Sequence, residues 1–264
     1  MDLQLSGRVA IVTGGSKGIG LAAARTLAEE GAHVVVASRT RTDELPDKVV
    51  HVAVDLMDPT AAERVVARAV QEFGGVDILV NNAGGPPPGT VLPRAGFMAP
   101  GDADWAAMFE FNVFATVRMI RAAVPVMLER GGGSIVNLSS SMARQAGNVN
   151  VDYAAAKASV LALSKSLSAE YAPQGIRVNT VTPGATLTDW WTKDGGAADV
   201  FGGMVGADKD SVIAEVAPTM MGLSTGRLVY PQEVADAIVL LASPRSASTT
   251  GAELVVDGGQ LKEI

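Results

Sequence analysis

The chain has no cysteine and only two histidines, His33 and His51. A disulfide framework and a thiolate metal site are therefore excluded, and a typical zinc centre would need carboxylates to complete it, so no metal site is expected. Basic residues are also short, with 21 Lys and Arg against 28 Asp and Glu and a net charge of -7. Nucleic acids and anionic lipids bind to basic faces, so neither is an expected partner. A small molecule is. The opening residues, Met1-Asp2-Leu3-Gln4-Leu5, lack the basic segment and apolar run of a secretory leader, and no later stretch approaches the roughly 18 uncharged apolar residues of a membrane span. These absences predict a cytoplasmic protein without membrane contact.

What is present suits a compact enzyme. The 264 residues are 48% hydrophobic and 19% charged, within the range that α/β proteins fill as one domain with a large core. Short β-branched runs alternate with longer helical patterns, the sequence form of stacked βαβ units. Seven strands are predicted, at 8–13, 33–38, 49–54, 78–81, 134–139, 177–181 and 253–256. Most are almost continuously apolar, as expected of a parallel sheet covered by helices on both faces. The fold class is thus α/β, a doubly wound Rossmann-type sheet forming a single domain over residues 1–264. Two regions break the rhythm. Gly84 to Gly101 holds Pro86, Pro87, Pro88, Pro93 and Pro100 and should be a long loop. Residues 188–226 are Gly-rich, with Trp190, Trp191, Phe201, Met204, Met220 and Met221, and read as a lid over the substrate side.

The first strand runs straight into Thr13-Gly14-Gly15-Ser16-Lys17-Gly18-Ile19-Gly20. Glycine there lets backbone approach a pyrophosphate, and the free N–H groups of a helix opening near Gly18 attract its charge. An ordinary strand-to-helix turn is the competing reading, because Gly14-x-x-x-Gly18-x-Gly20 departs from the commonest dinucleotide fingerprint. The second strand ends Ser38-Arg39-Thr40, where NAD-binding proteins normally carry an acidic residue for the ribose 2′-hydroxyl. Arg39 offers a planar fork to a 2′-phosphate, Ser38 and Thr40 offer hydroxyls, and Lys17 adds a second cation. One charge-assisted bond contributes about 1.5 to 3 kcal/mol, roughly ten- to hundredfold in affinity, which predicts NADP(H) over NAD(H).

Farther on, Tyr153 and Lys157 lie four apart at the start of an Ala-rich helix and share one face. An ammonium beside a phenol favours the phenolate, and together with an oxidised nicotinamide it can draw the ordinary pKa near 10 toward neutrality. Ser139, Ser140 and Ser141 follow a strand and so fall at the carboxyl edge of the sheet, where such folds bind ligands. A hydroxyl there can stabilise charge developing on a substrate oxygen, although serines after strands also serve as caps.

Together these residues resemble the short-chain dehydrogenase/reductase family, of the 3-oxoacyl-(acyl-carrier-protein) reductase type, over essentially the whole chain. The matches are Thr13-Gly14-x-x-x-Gly18-x-Gly20, Asp55, Asn81-Asn82-Ala83-Gly84, Asn112, Ser140, Tyr153-x-x-x-Lys157, Pro183-Gly184 and Asp257-Gly258-Gly259. The resemblance implies that Tyr153 is the proton donor and acceptor, that Lys157 orients the nicotinamide ribose and lowers the tyrosine pKa, and that Ser140, thirteen residues before Tyr153, polarises the substrate oxygen. It assigns Asn112 to a water in a proton relay, with a helix-bending side-chain bond as the plainer use. It sets Asn82, Ala83 and Gly84 beside the adenosine ribose, Asp55 and Leu56 at the adenine, and Pro183, Gly184, Thr186 and Thr188 at the nicotinamide carboxamide, with Ser16 and Ile19 completing the phosphate turn. Strand order 3-2-1-4-5-6-7 and a homotetramer or homodimer are also implied.

The expected reaction is hydride transfer between nicotinamide and a carbonyl or secondary alcohol. The aromatic and Met content of 188–226 suits an apolar or amphipathic ligand, and Arg94 and Arg144 stand isolated, without an arginine cluster for an acidic one. Two alternatives stay open: a non-catalytic NADP sensor or scaffold, and an NAD-linked sugar or steroid alcohol dehydrogenase. Asn112, Ser140, Tyr153 and Lys157 together favour an enzyme, since a sensor needs only the glycines and Arg39.

Overall fold

The computed structural model describes residues 1–90 and 93–263. Of the expected loop from Gly84 to Gly101, Val91 and Leu92 lie outside the described residues. Seven strands form one parallel sheet: β1 (Val9–Thr13), β2 (His33–Ser38), β3 (Val50–Ala53), β4 (Ile78–Asn81), β5 (Gly133–Leu138), β6 (Ile176–Pro183) and β7 (Glu253–Val256). Their order is β3-β2-β1-β4-β5-β6-β7, as the family resemblance implies, and their bounds differ from the sequence reading by no more than two residues. β6 runs on to Pro183 because the missing N–H of proline is tolerated at a strand end.

The chain moves outward from β1 to β3, then returns to place β4 on the other side of β1. Connections leaving β1 and β4 therefore diverge, and a crevice opens at their carboxyl ends. Helices α1 (Gly18–Glu29) and α10 (Pro231–Ala242) cover one face, while α2 (Ala61–Phe73), α4 (Ala115–Glu129) and α5 (Val151–Tyr171) cover the other. Alternate strand residues sort between two apolar clusters. Ala10, Val12, Val34 and Val36 join Leu27 and Ile238 on the first face. Val9, Ile11, Val35 and Leu79 join Val65 and Met119 on the second.

α3 (Asp102–Phe109) passes through a π turn at Glu110–Phe114 into α4. This continuous run, Asp102–Glu129, is by length and composition apolar enough to cross a membrane, which the sequence reading did not anticipate. Part of its apolar face makes core contacts: Met108, Met119, Ile120, Ala123 and Met127 are buried, while Phe114 is exposed. The 188–226 segment folds into short helices α6 (Asp189–Thr192), α7 (Ala197–Val205), α8 (Lys209–Ser211) and α9 (Ala217–Met220). They enclose a small core of their own around Trp191, Val212 and Leu223, with the Trp191 and Phe201 rings stacked at 5.8 Å.

Candidate active site

β1 delivers the chain into the glycine turn. Gly14 and Gly18 have φ of +66° and +53°, a region that side chains disfavour. Space is as restrictive as dihedral angle, since a Cβ on Gly20 would fall 2.4 Å from Gly14 O and from Asn82 Nδ2. Lys17 precedes α1 without a side-chain cap, so the first amides of the helix are left for a ligand, as a pyrophosphate requires. Asn82 braces this turn: Nδ2 donates to Thr13 O at 2.9 Å and Gly14 O at 3.3 Å, while Thr13 Oγ1 accepts the N–H of Asn82 and of Ala83 at 3.0 Å each.

From this turn a cleft of about 710 Å³ extends both ways. One end is bordered by Lys17, Ser38, Arg39, Thr40, Asp55 and Leu56. Arg39 is exposed and its guanidinium has no partner among the described residues. Ser38 is less available than the sequence suggested, because its hydroxyl donates to Thr40 O and meets His51 Nε2, both at 2.9 Å. A cradle that any Cβ would fill and a free helix N-terminus fit the pyrophosphate of a dinucleotide. Thr188 packs its methyl group over Gly18 from the far wall, and Thr186 Oγ1 donates to Gly184 O at 3.0 Å.

Ser140, Tyr153 and Lys157 gather at the other end. β5 leads into Ser140, whose Oγ accepts the Met142 N–H at 3.2 Å and which lines the cleft beside Tyr153. Tyr153 sits in the first turn of α5. Lys157, one turn later, is buried, donates from Nζ to Leu138 O at 3.0 Å and stands 5.8 Å from the Tyr153 ring centre. Burial raises the Tyr153 phenol above its ordinary pKa, and the nearby Ser140 hydroxyl opposes that. Burial also lowers Lys157 to about 8. The lowering of the phenol expected from sequence rests on the lysine together with an oxidised nicotinamide; in the protein alone burial disfavours both charged forms, raising the phenol and lowering the ammonium.

Asn112 lies in the π turn, a helical irregularity frequent at functional sites. Its Nδ2 donates to Met108 O at 3.0 Å and Gly85 O at 2.9 Å, and its Oδ1 accepts the Gly85 N–H at 2.8 Å. The helix-bending bond weighed from sequence is therefore present. Gly84 passes so close that a Cβ would lie 2.6 Å from Lys157 Nζ and 2.8 Å from Asn112 Oδ1, which ties the loop after β4 to both helices.

Several lining residues escaped the sequence reading: Phe111, Met142, Asn150, Lys193 and Gln260. Asn150 had a signal in hindsight, being an asparagine at φ +52°, where that residue type is enriched. Arg94 and Arg144, which stand apart from any arginine cluster in the sequence, are each held by carboxylates. Arg94 bridges Asp104 at 2.8 Å and the buried Asp152 at 2.5 Å, and Arg144 bridges Glu253 at 2.7 Å and Glu263 at 2.9 Å. Their partners are mostly too far along the chain to be paired by inspection.

The short chain dehydrogenase family model matches residues 8–197. The 3-oxoacyl-(acyl-carrier-protein) reductase FabG of Vibrio cholerae is 35% identical over 97% of this chain and 98% of its own. The D-threitol dehydrogenase of Mycolicibacterium smegmatis is 35% identical over 98% of this chain and 94% of its own. Among solved structures, L-sorbose reductase from Gluconobacter frateurii, complexed with NADPH and L-sorbose, superposes with a TM-score of 0.88 at 36% identity, with both chains fully covered.

Proposed function

The chain belongs to the short-chain dehydrogenase/reductase family, and we propose that it is an NADP(H)-dependent oxidoreductase interconverting a carbonyl and a secondary alcohol, with Tyr153 as general acid and base. The observation that carries this reading is the meeting of the Tyr153 hydroxyl, the Ser140 hydroxyl and the buried Lys157 ammonium at one end of the glycine-turned cleft. The bound dinucleotide would supply or accept the hydride.

Ser140 orients the carbonyl oxygen by donating to it, and Tyr153 delivers the proton as negative charge develops there. Tyr153, its pKa raised above the ordinary phenol value, is protonated at neutral pH, the form needed for reduction. Lys157 supplies the positive charge that stabilises the resulting phenolate, and its pKa of about 8 leaves it mostly charged at pH 7. Asn112 holds the backbone of Gly85 in place and so fixes the wall over Lys157. Arg39 and Lys17 select the phosphorylated cofactor. The L-sorbose reductase complex contains NADPH, which supports the same preference. Residues 188–226 serve as the cover of the substrate end.

The test is a Tyr153→Phe variant assayed by NADPH absorbance across a carbonyl panel. It should bind NADPH with unchanged affinity and lose turnover by about two to four orders of magnitude, the share of general acid–base catalysis. An active variant would remove Tyr153 from this role.

A further inference from the structure

Resting on that reading, the substrate end of the cleft has a chemistry of its own. Two carboxamides border it, Asn150 and Gln260. Asn150 stands three residues before Tyr153, and its Oδ1 accepts the Arg94 N–H at 2.8 Å. Gln260 Oε1 accepts the hydroxyl of Ser141, the neighbour of Ser140, at 3.0 Å. An amide whose oxygen is held by the protein has its nitrogen fixed on the opposite branch. Neither Asn150 Nδ2 nor Gln260 Nε2 has an acceptor among the described residues.

Both groups are held in place. The Arg94 and Asn150 backbones exchange a second bond at 2.8 Å, and the Arg94 side chain is anchored by Asp152 and Asp104. Around Gln260, the Asp257 carboxylate accepts the N–H of Gly259 at 2.8 Å and of Leu261 at 2.7 Å, and Lys262 Nζ donates to Gly222 O at 2.9 Å and Ser224 Oγ at 2.7 Å. Of the aromatic and Met residues that suggested an apolar ligand, Phe201 packs on the buried Trp191 and Met204 and Met220 are exposed, while Trp190, Trp191 and Met221 border the cleft.

We infer that the substrate is an oxygen-rich carbonyl compound, a polyhydroxylated ketone or aldehyde or the matching polyol, whose oxygens beside the reacting carbon accept from the Asn150 and Gln260 amides. An alkyl or acyl chain in that place would strip water from both N–H₂ groups and leave them unpaired, a loss of roughly ten- to hundredfold for each amide. Sites built to bond a substrate hydroxyl discriminate strongly against analogues lacking it.

Erythrulose and 2-butanone share a four-carbon skeleton and differ in three hydroxyls, so NADPH oxidation is followed with each and with an acetoacetyl thioester. The expected kcat/KM for erythrulose exceeds that for 2-butanone by at least about a hundredfold, following the two amide contributions above. In Gln260→Met that ratio should fall at least about tenfold while NADPH affinity holds. If Gln260→Met fails to fold, Gln260→Asn, one methylene shorter, gives the same readout. Similar rates for erythrulose and 2-butanone, preference for the thioester, or an unchanged ratio in the folded Gln260 variant would each overturn the inference while leaving the reductase reading intact. NADPH binding with no carbonyl reduced would sink that reading and this inference with it.

Discussion

Replacing Lys157 with methionine should abolish turnover and yet stabilise the protein. The side chain is 3% exposed, and burial lowers its pKa from 10.5 to about 8. That difference corresponds to about 3 kcal/mol by which the folded state disfavours the charged form. Losing the bond from Nζ to Leu138 O returns about 1 kcal/mol, so the expected net gain near pH 7 is about 2 kcal/mol, or roughly 4 to 8 °C in Tm for a chain of this size. The dependence on pH separates this cause from better packing. Between about 8 and 10.5 the unfolded lysine holds a proton that the folded one has released, so the stability of the native sequence rises with pH across that window. The Lys157→Met advantage should be full below pH 8, vanish near pH 10 and give way to a deficit of about 1 kcal/mol above 10.5, where only the lost hydrogen bond remains. Urea unfolding of both proteins at pH 7 and pH 10, followed by circular dichroism, measures the gap directly. A destabilised variant at pH 7, or a gap of equal size at pH 10, would refute the reasoning.

Arg39→Ala should weaken NADPH binding roughly ten- to hundredfold and leave NADH unchanged in a fluorescence titration; equal losses for both would remove Arg39 from the 2′-phosphate. Arg94→Met strands the fully buried Asp152 carboxylate, one oxygen of which already lacks a partner, and should cost about 3 to 5 kcal/mol in urea unfolding. Adding Asp152→Leu should recover most of that, because the unpaired charge is then gone. Gly84→Ala puts a methyl group against Lys157 Nζ and Asn112 Oδ1; at least a tenfold loss of kcat with Tm lowered by only a few degrees is expected, read from steady-state kinetics and thermal melts.

The strands are legible because a parallel sheet buried on both faces leaves continuous apolar runs such as Val9–Thr13. For the same reason the allocation of Ile11 to one core and Val12 to the other cannot be read from hydropathy. The candidate site shows in sequence wherever its logic is local: the glycine spacing, the basic Arg39 after β2, and Tyr153 one turn from Lys157. It is hidden wherever partners are distant. Arg94 finds Asp152 across 58 positions, Arg144 finds Glu253 across 109, and Ser141 finds Gln260 across 119. The state of the phenol is also hidden, since it depends on how completely water is excluded around Tyr153, a property of the packed site rather than of the Tyr-Lys spacing.

The division of each central strand between two apolar layers makes sequence neighbours strangers in packing. A cavity opened at Ile11 relaxes among the side chains of α2 and α4, whereas one opened at Val12 relaxes among those of α1 and α10. The sheet works as a partition, so losses on opposite sides should add, while those on one side interact. Each helical layer is thereby free to be redesigned or to drift without consulting the other, provided that the crevice between β1 and β4 keeps its edges.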